Sequence, residues 1–323
     1  MKVTIADVAN LAGVAKSTVS RYLNGGYVSE ETRRKIEDVI KKTNYEPNNF
    51  AQSLKAKETN LVGVIVPRLN SYTSSLTLKG IDKQLRENGY QMLISNTDQN
   101  LQRELESLQN FANQKVSGII LMSSRLTEAH VRVIKKIQVP VLSIGQAHEG
   151  IPSLVYADEE AGFVLGKYLL ECGHRQMIYA GVNESDVAVG LKRKQGFCRA
   201  VFGPSTETCF YETGFLMRDA FELFDQVELG GATAIICATD NIALGAMKAL
   251  GQRGINVPGD VSVMGFGDYE VADIMGLTTM RYPYEETGEL AVKKILQKDF
   301  SSVKNPLCEI IIRKSVDILN ESG

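Results

Sequence analysis

Two sets of side chains in this 323-residue sequence have types and spacings that could do chemistry. The first lies on the segment Lys16-Ser17-Thr18-Val19-Ser20-Arg21. There Lys16, Ser17, Thr18, Ser20 and Arg21 offer donors suited to phosphates and base edges, while Val14, Val19 and Leu23 pack inward. A helix, a glycine turn and a second helix with such a face is the pattern of a helix-turn-helix. It equally fits a small helical bundle with solvated charges. The second set ends two apolar strand patterns. Arg68 directly follows Pro67 and leads into Asn70-Ser71-Tyr72-Thr73-Ser74-Ser75, and Ser123-Ser124-Arg125 follows Gly118–Met122. Arginine beside hydroxyls and helix N-terminal amides is how proteins hold a phosphate, although basic residues at strand ends are more often simply solvated. There is no G-x-S-x-G elbow and no metal-ligand pair, so no catalytic residue, metal or cofactor is expected.

The elements that must position these groups follow from periodicity. Residues 4–45 read as three short helices. Thr4 caps the first, with Asp7 at its N3 position and Ile5, Val8, Ala9 and Leu11 as its apolar face; Gly13 ends it. The second runs from about Lys16 to Leu23, stopped by Asn24-Gly25-Gly26. Ser29 caps the third, whose face is Ile36, Val39 and Ile40 and which stops near Tyr45-Glu46-Pro47. A short segment over 48–57 is too brief to be stable alone. From Leu61 the pattern becomes apolar strands alternating with amphipathic helices at 74–88, 101–113 and 127–137. It restarts after Asp158 with helices at 159–171, 190–201, 215–228 and 240–252 and strands at 176–181, 207–212, 233–238 and 261–266. That alternation implies parallel sheets covered on both faces. Two doubly wound α/β subdomains around a cleft are expected, with a strand near 308–313 returning to the first.

Composition fits such a chain: 44% hydrophobic and 23% charged residues are those of a core-forming protein. No apolar run suffices to span a membrane, and the first residues carry an acid and no apolar stretch, so no secretory signal is expected. The five cysteines (Cys172, Cys198, Cys209, Cys237 and Cys308) form no C-x-x-C pair, which points to free thiols in the cytoplasm. The net charge of −2 hides an asymmetry: residues 1–58 hold ten Lys/Arg against seven Asp/Glu, and the acids dominate afterwards. A basic head on an acidic body suits a DNA-binding module joined to a regulatory domain. The remaining candidates read as structural: His174 ordering a turn, Cys237 and Met264 in the core, Lys192 and Lys194 on a solvated helix face, and Gly162, Gly166 and Gly196 at close helix packing.

Thr4-Ile5-Ala6-Asp7-Val8-Ala9, Ala12-Gly13-Val14 and Ser17-Thr18-Val19-Ser20-Arg21-Tyr22-Leu23-Asn24 strongly resemble the head of the lactose/galactose repressor family. Val28-Ser29-Glu30-Glu31-Thr32-Arg33, Asn44-Tyr45-Glu46-Pro47-Asn48 and Ala51-Gln52-Ser53-Leu54 continue the match. So do Gly63-Val64-Ile65-Val66-Pro67, Gly173-His174-Arg175, Arg193-x-x-Gly196-Phe197 and Ala243-Leu244-Gly245-Ala246 in the body. The resemblance implies a helix-turn-helix head over 1–47, a hinge helix and linker over 48–60, and a periplasmic-binding-protein-like effector and dimerisation domain over 61–323. The subdomains would span about 61–157 plus the C-terminal return segment, and about 158–282. It implies a cytoplasmic, nucleoid-associated homodimer that represses a carbohydrate operon from a pseudo-palindromic operator and is released by a sugar or sugar phosphate. A corepressor-dependent or global regulator, or a sugar-binding protein with a vestigial head, are the alternatives. The short C-terminus lacks the leucine heptads of tetrameric members.

By the same resemblance, Lys16, Ser17 and Arg21 read base edges in the major groove, while Asn24, Tyr27, Ser29 and Thr32 hold phosphates. Asn48 and Ala51 lie on the hinge helix, whose Leu54 wedges into the minor groove. Ala15 replaces the usual capping serine. In the cleft, Arg193 would bind effector hydroxyls or carboxylates, with Ser71, Tyr72, Ser123, Ser124 and Asp240 nearby. Two family positions that often carry aspartate for sugar hydroxyls are Gly145 and Gly267, which points away from a plain neutral sugar. Arg68-Leu69-Asn70-Ser71, Asp186-Val187 and Cys237-Ala238-Thr239-Asp240 are similar to the trehalose operon branch of that family, whose effector is a phosphorylated sugar. A phosphosugar is therefore preferred over a neutral sugar, with a purine or nucleoside third. Replacing Arg21 by Ala is expected to cost roughly 1–3 kcal/mol of operator affinity and relax base preference at one position per half-site, measured by titrating a panel of base-substituted operators.

Overall fold

The computed structural model describes residues 3–23, 25–45, 59–300 and 307–319. The chain divides into two compact units, Met1–Thr59 and Asn60–Gly323. The expectations at Asn24, Asn48, Ala51 and Leu54 lie outside the described residues.

The head holds α1 (Ile5–Ala12), α2 (Lys16–Leu23) and α3 (Glu30–Thr43). Thr4 opens α1 with a reciprocal cap: its hydroxyl accepts from the Asp7 N–H at 3.3 Å and its own N–H donates to Asp7 Oδ2 at 2.9 Å. Gly13, at φ 64°, ends α1 in the left-handed conformation that side chains resist. Ser29 caps α3 by accepting from the Thr32 N–H. Val8, Ala9, Ala12, Val19, Ile36 and Tyr45 form the core, with Ile5, Val14, Leu23, Val39 and Ile40 packed against it. Leu11 was expected on the apolar face but is 64% exposed. Ala12 takes its place because it stands three and four residues from Ala9 and Val8 and so shares their face.

The first lobe of the body runs β1 (Leu61–Val66), α4 (Tyr72–Glu87), β2 (Gln91–Asn96), α5 (Leu101–Asn113), β3 (Gly118–Met122), α6 (Glu128–Lys136), β4 (Val141–Ile144) and β5 (Ser153–Leu154). Its strands pair in parallel in the order β2-β1-β3-β4-β5. Val62, Val64 and Val66 enter one core and Ile65 the opposite one, as the two-residue period of a doubly covered strand requires. The second lobe has α7 (Asp158–Glu171), β6 (Gln176–Gly181), a π-helical turn (Val187–Lys192), α8 (Arg193–Val201), β7 (Glu207–Glu212), α9 (Met217–Gln226), β8 (Ala234–Cys237), α10 (Asp240–Gln252), β9 (Ser262–Gly267), α11 (Glu270–Ile274) and β10 (Thr278–Arg281). In both lobes the chain winds away in opposite directions from neighbouring strands, β1 and β3 in one and β6 and β8 in the other. The loops at their carboxyl ends part and leave a crevice.

The C-terminal region corrects one expectation. After α12 (Tyr284–Gln297), the strand β11 (Glu309–Ile311) joins the second sheet, antiparallel to β10, with order β11-β10-β9-β8-β6-β7. What returns to the first lobe is α12. Its Ala291, Val292 and Ile295 are buried, and Gly80 and Gly288 let α4 and α12 meet backbone to backbone. Lys79–Glu285 at 2.8 Å and Lys83–Glu289 at 2.6 Å flank the seam. No described helix is long and apolar enough to cross a membrane.

In the second lobe α7 and α8 cross at Gly162, Gly166 and Gly196; a Cβ at Gly196 would overlap the carbonyl of Glu159. His174 is fully buried, with Nδ1 2.9 Å from Thr233 Oγ1 and Nε2 3.1 Å from the Asp317 carbonyl, so it pins the C-terminal segment to the sheet. Cys237 and Met264 are core residues. Gly196→Ala is expected to cost roughly 1–3 kcal/mol by forcing α7 and α8 apart. Calorimetry should then show the body melting several degrees lower, whereas an unchanged midpoint would mean the helices separate freely there.

Candidate effector cleft and DNA-binding face

In the head, α2 turns one face inward and leaves the other bare. Val19 is fully buried, whereas Lys16, Ser17 and Arg21 are exposed and Thr18 and Ser20 are half-buried. Tyr22 Oη donates to Glu37 Oε1 at 3.0 Å, fixing α2 against α3. The Ala15 carbonyl accepts from the N–H groups of Thr18 and Val19 at 2.9 and 3.3 Å, but its side chain has no oxygen to cap the helix. Tyr27 is 89% exposed, an aromatic left in solvent. Ser29 Oγ donates to Thr32 Oγ1 at 2.8 Å at the start of α3, where helix amides favour an anion.

In the body, a cavity of about 150 Å³ lies between the two lobes. Of the residues named from sequence, Arg68, Ser71, Tyr72, Ser123, Ser124 and Arg193 line it and Asp240 does not. Arg193, at the start of α8, is buried: Nε donates to Asp158 Oδ1 at 2.7 Å and Nη1 to the Ala238 carbonyl at 2.8 Å. Its guanidinium lies 5.0 Å from the Phe266 ring centroid and 4.8 Å from that of Tyr282. Tyr282 Oη also donates to Asp158 Oδ1, at 3.1 Å.

Arg68 is different. Its guanidinium lies 4.4 Å from the centroid of Phe215 across the cleft, but its Nε is buried with no hydrogen-bond acceptor. Burial lowers its affinity for its proton, with Tyr269 and Asp186 opposing the effect. Beside it begins α4, capped by Ser71 Oγ accepting from the Ser74 N–H at 3.4 Å. Tyr72 Oη accepts from the Glu270 N–H of the other lobe at 3.1 Å, and its ring packs 4.5 Å from Tyr269.

Ser123 lines the cleft with a hydroxyl already engaged, 2.8 Å from Glu104 Oε2 and accepting from the Arg125 N–H at 3.1 Å. Glu104 is itself buried beside His130 Nε2 at 3.0 Å. Ser123 therefore shapes the β3–α6 loop. Asp240 corrects the sequence expectation more fully. Its Oδ1 accepts from Thr279 Oγ1 at 2.5 Å and its Oδ2 from the Tyr269 N–H at 2.9 Å, so it ties α10 to β10 behind the cleft wall. Its neighbours Thr239 and Asn241 face the cavity instead. Gly145 and Gly267 have φ of 89° and 140°, so the backbone itself asks for glycine at the two positions where an aspartate was looked for.

Sequence reasoning overlooked the groups that join the lobes. Gln146 Nε2 donates to Asp186 Oδ1 at 3.1 Å across the cleft, and Asp186 also caps the π-helical turn through the Val189 N–H at 3.0 Å. Burial raises the Asp186 pKa. Tyr156, Tyr282 and Tyr284 cluster where the chain crosses between lobes. A helical head with a bare polar recognition face, joined to a two-lobed cleft, is the combination that the comparisons with known proteins match. Residues 4–48 match the model described as "Bacterial regulatory proteins, lacI family", and residues 59–305 that of "Periplasmic binding proteins and sugar binding domain of LacI family".

The chain belongs to the LacI family.

Relatives of the LacI family include the sucrose operon repressor of Staphylococcus xylosus, 38% identical over 91% of this chain and 92% of that protein. Catabolite control protein A of Priestia megaterium is 33% identical over 91% of each chain. Among solved structures, the lac repressor dimer bound to operator and the anti-inducer ONPF has a TM-score of 0.88 at 27% identity, covering 98% of this chain and 100% of that one. The protein is a DNA-binding transcriptional repressor of the kind that governs sugar operons.

In this LacI-family body, burial lifts the Asp240 carboxyl from 3.8 to about 6, with the hydrogen bonds from Thr279 and Tyr269 opposing the shift. The folded protein holds this proton more tightly than the unfolded chain. Its contribution is therefore most favourable below the unfolded pKa and is lost as pH rises through about 6. Asp240→Asn keeps an acceptor for one donor and removes the titration. Thermal melts from pH 4 to 7 should show a shallower fall in the variant; identical pH profiles would mean that Asp240 is ionised throughout.

Proposed function

We propose that the protein is a homodimeric, chromosome-bound repressor of a carbohydrate-utilisation operon, acting in the cytoplasm, and that a phosphorylated sugar in the inter-lobe cleft releases it from the operator. No catalytic step is assigned to it. The observation that carries the effector reading is Arg68, whose half-buried guanidinium has a buried Nε without an acceptor beside the first turn of α4. A phosphate there would accept from the guanidinium and from helix amides together. Arg193, held by Asp158, would then meet the sugar ring. The likeness to the sucrose operon repressor makes sucrose 6-phosphate the first ligand to try. The dimer solved for the lac repressor supports two heads reading two half-sites. The likeness to catabolite control protein A supports a second reading, in which a ligand or partner protein strengthens operator binding.

Calorimetric titration with sucrose and sucrose 6-phosphate tests the effector. A hydrogen bond to a charged group is worth ~1.5–3 kcal/mol. Arg68→Ala should therefore weaken the phosphorylated ligand roughly ten- to a hundredfold and leave the neutral sugar nearly unchanged, while Arg193→Ala weakens both. Equal affinity of the parent protein for the two ligands overturns the phosphate clamp. Operator titrations with and without ligand separate an inducer, which lowers affinity, from a corepressor, which raises it.

A further inference from the structure

The cavity beside Arg68 is not the whole cleft. A second chamber of about 450 Å³ adjoins it and shares Ser123, Ser124, Asp186 and Phe215 with it. We infer that this outer chamber is a second subsite, which takes a neutral, polyhydroxylated ring joined to the phosphorylated one, so that the effector has two rings. The inference rests on the phosphosugar reading of the inner chamber.

Size is the first argument. Pockets that enclose a small organic ligand are commonly ~300–1,000 Å³; at about 150 Å³ the inner chamber falls short alone, and the two together fall inside that range. Construction is the second. Gln99 and Asp98 both have left-handed backbones, with φ of 58° and 55°, a costly conformation for residues that are not glycine. The loop is held there because the Gln99 N–H donates to the Pro67 carbonyl at 3.0 Å and Thr97 Oγ1 donates to the Val66 carbonyl at 3.2 Å. The strand end that presents Arg68 to the inner chamber thus also fixes Gln99 in the wall of the outer one. On the neighbouring loop, Ser123 and the buried Glu104–His130 pair hold the backbone of Arg125. The second lobe closes the chamber with Ser185, whose N–H donates to Asn183 Oδ1 at 3.0 Å, and with Phe215.

Charge is the third argument and selects the ligand class. Glu104 and Asp186 face this chamber together with a single guanidinium, that of Arg125. Two carboxylates beside one cation disfavour a second anion. The Gln99 amide and the Ser124 and Ser185 hydroxyls instead offer donors and acceptors in the mixture that sugar hydroxyls need, and Phe215 offers an apolar surface for ring C–H groups.

The test compares one-ring and two-ring probes by calorimetry on the full-length protein: glucose, glucose 6-phosphate, sucrose, and the 6-phosphates of sucrose, trehalose and maltose. The parent should bind at least one two-ring phosphate ten times or more tighter than glucose 6-phosphate. Gln99→Ala and Ser185→Ala should each weaken that ligand three- to tenfold while changing glucose 6-phosphate by less than twofold, with melting curves like the parent's. Arg68→Ala should weaken the one-ring and two-ring phosphates alike. If glucose 6-phosphate binds as tightly as every two-ring phosphate, or the outer-chamber variants weaken both classes equally, the second subsite is wrong and the phosphate clamp can still stand. Sucrose binding as well as its phosphate, with only the two-ring sugars sensitive to Gln99→Ala, sinks the clamp and keeps the subsite. Failure of every two-ring probe sinks the subsite.

Discussion

The body is organised around the buried contact between Arg193 and Asp158. Neither charge reaches bulk water, so each depends on the other and on the Ala238 carbonyl and Tyr282 hydroxyl that complete the set. A buried pair of this kind contributes little net stability, but removing one partner leaves a desolvated charge and costs about 3–5 kcal/mol. Its position explains why such a pair is kept. Asp158 opens α7, Arg193 opens α8, Ala238 ends β8 and Tyr282 lies on the chain segment that crosses back to the first lobe. One guanidinium therefore gathers three elements of the second lobe and the crossover beneath the cleft floor. The close glycine contacts between α7 and α8 bring the two helix starts near enough for this to happen.

Against that fixed floor the two sides of the cleft are chemically unequal. The first lobe brings a cation without an acceptor, a helix N-terminus and a row of hydroxyls. The second brings Asp186, the paired Asp158 and a wall of aromatic rings. An anion near Arg68 enters a place where the protein has left a donor unanswered, and a buried donor without a partner is costly until something answers it. Gly145 and Gly267 add to the contrast, since their backbone angles exclude most side chains where carboxylates could have met neutral hydroxyls.

Much of this was legible in the sequence because local rules govern it. The reciprocal cap of Thr4 and Asp7, the glycine stop at residue 13 and the inward Val19 follow from positions three or four residues apart. The strand–helix alternation of the body follows from burial on both faces of a sheet. The family motifs pointed to Arg193, and the strand end pointed to Arg68. What escaped was set by long-range partners. Asp240 looked like a cleft residue because it begins a helix at a strand's carboxyl end, yet Thr279, thirty-nine residues later, draws its carboxylate into the core. The apolar pattern at 308–313 reads as a strand without saying which sheet it joins, and α12 reveals its place only through the glycines that let α4 approach. Leu11 looked like core by type, but the helical period put Ala12 there. Gln146 and Asp186 are ordinary polar residues until folding brings them 3.1 Å apart.

The contacts also sort by what a moving cleft could do with them. A ligand shifts a conformational equilibrium only through interactions that differ between the two states. Arg193 with Asp158 lies inside one lobe, and so do Ser123, Glu104 and His130; rigid rotation of the lobes leaves these unchanged. Three contacts span the cleft: Gln146 with Asp186, the Glu270 N–H with Tyr72, and Arg68 over Phe215. Only these break or form as the lobes reorient, and all three lie on the cavity wall or beside it. A ligand touching Arg193 alone would bind without signalling. A ligand that takes the Arg68 guanidinium from Phe215, or displaces Gln146 from Asp186, changes the balance between lobe arrangements. Effector specificity and the conformational response therefore fall on the same side chains, and the charge state of Asp186, pushed by burial toward its neutral form, sets how strongly an incoming anion is opposed.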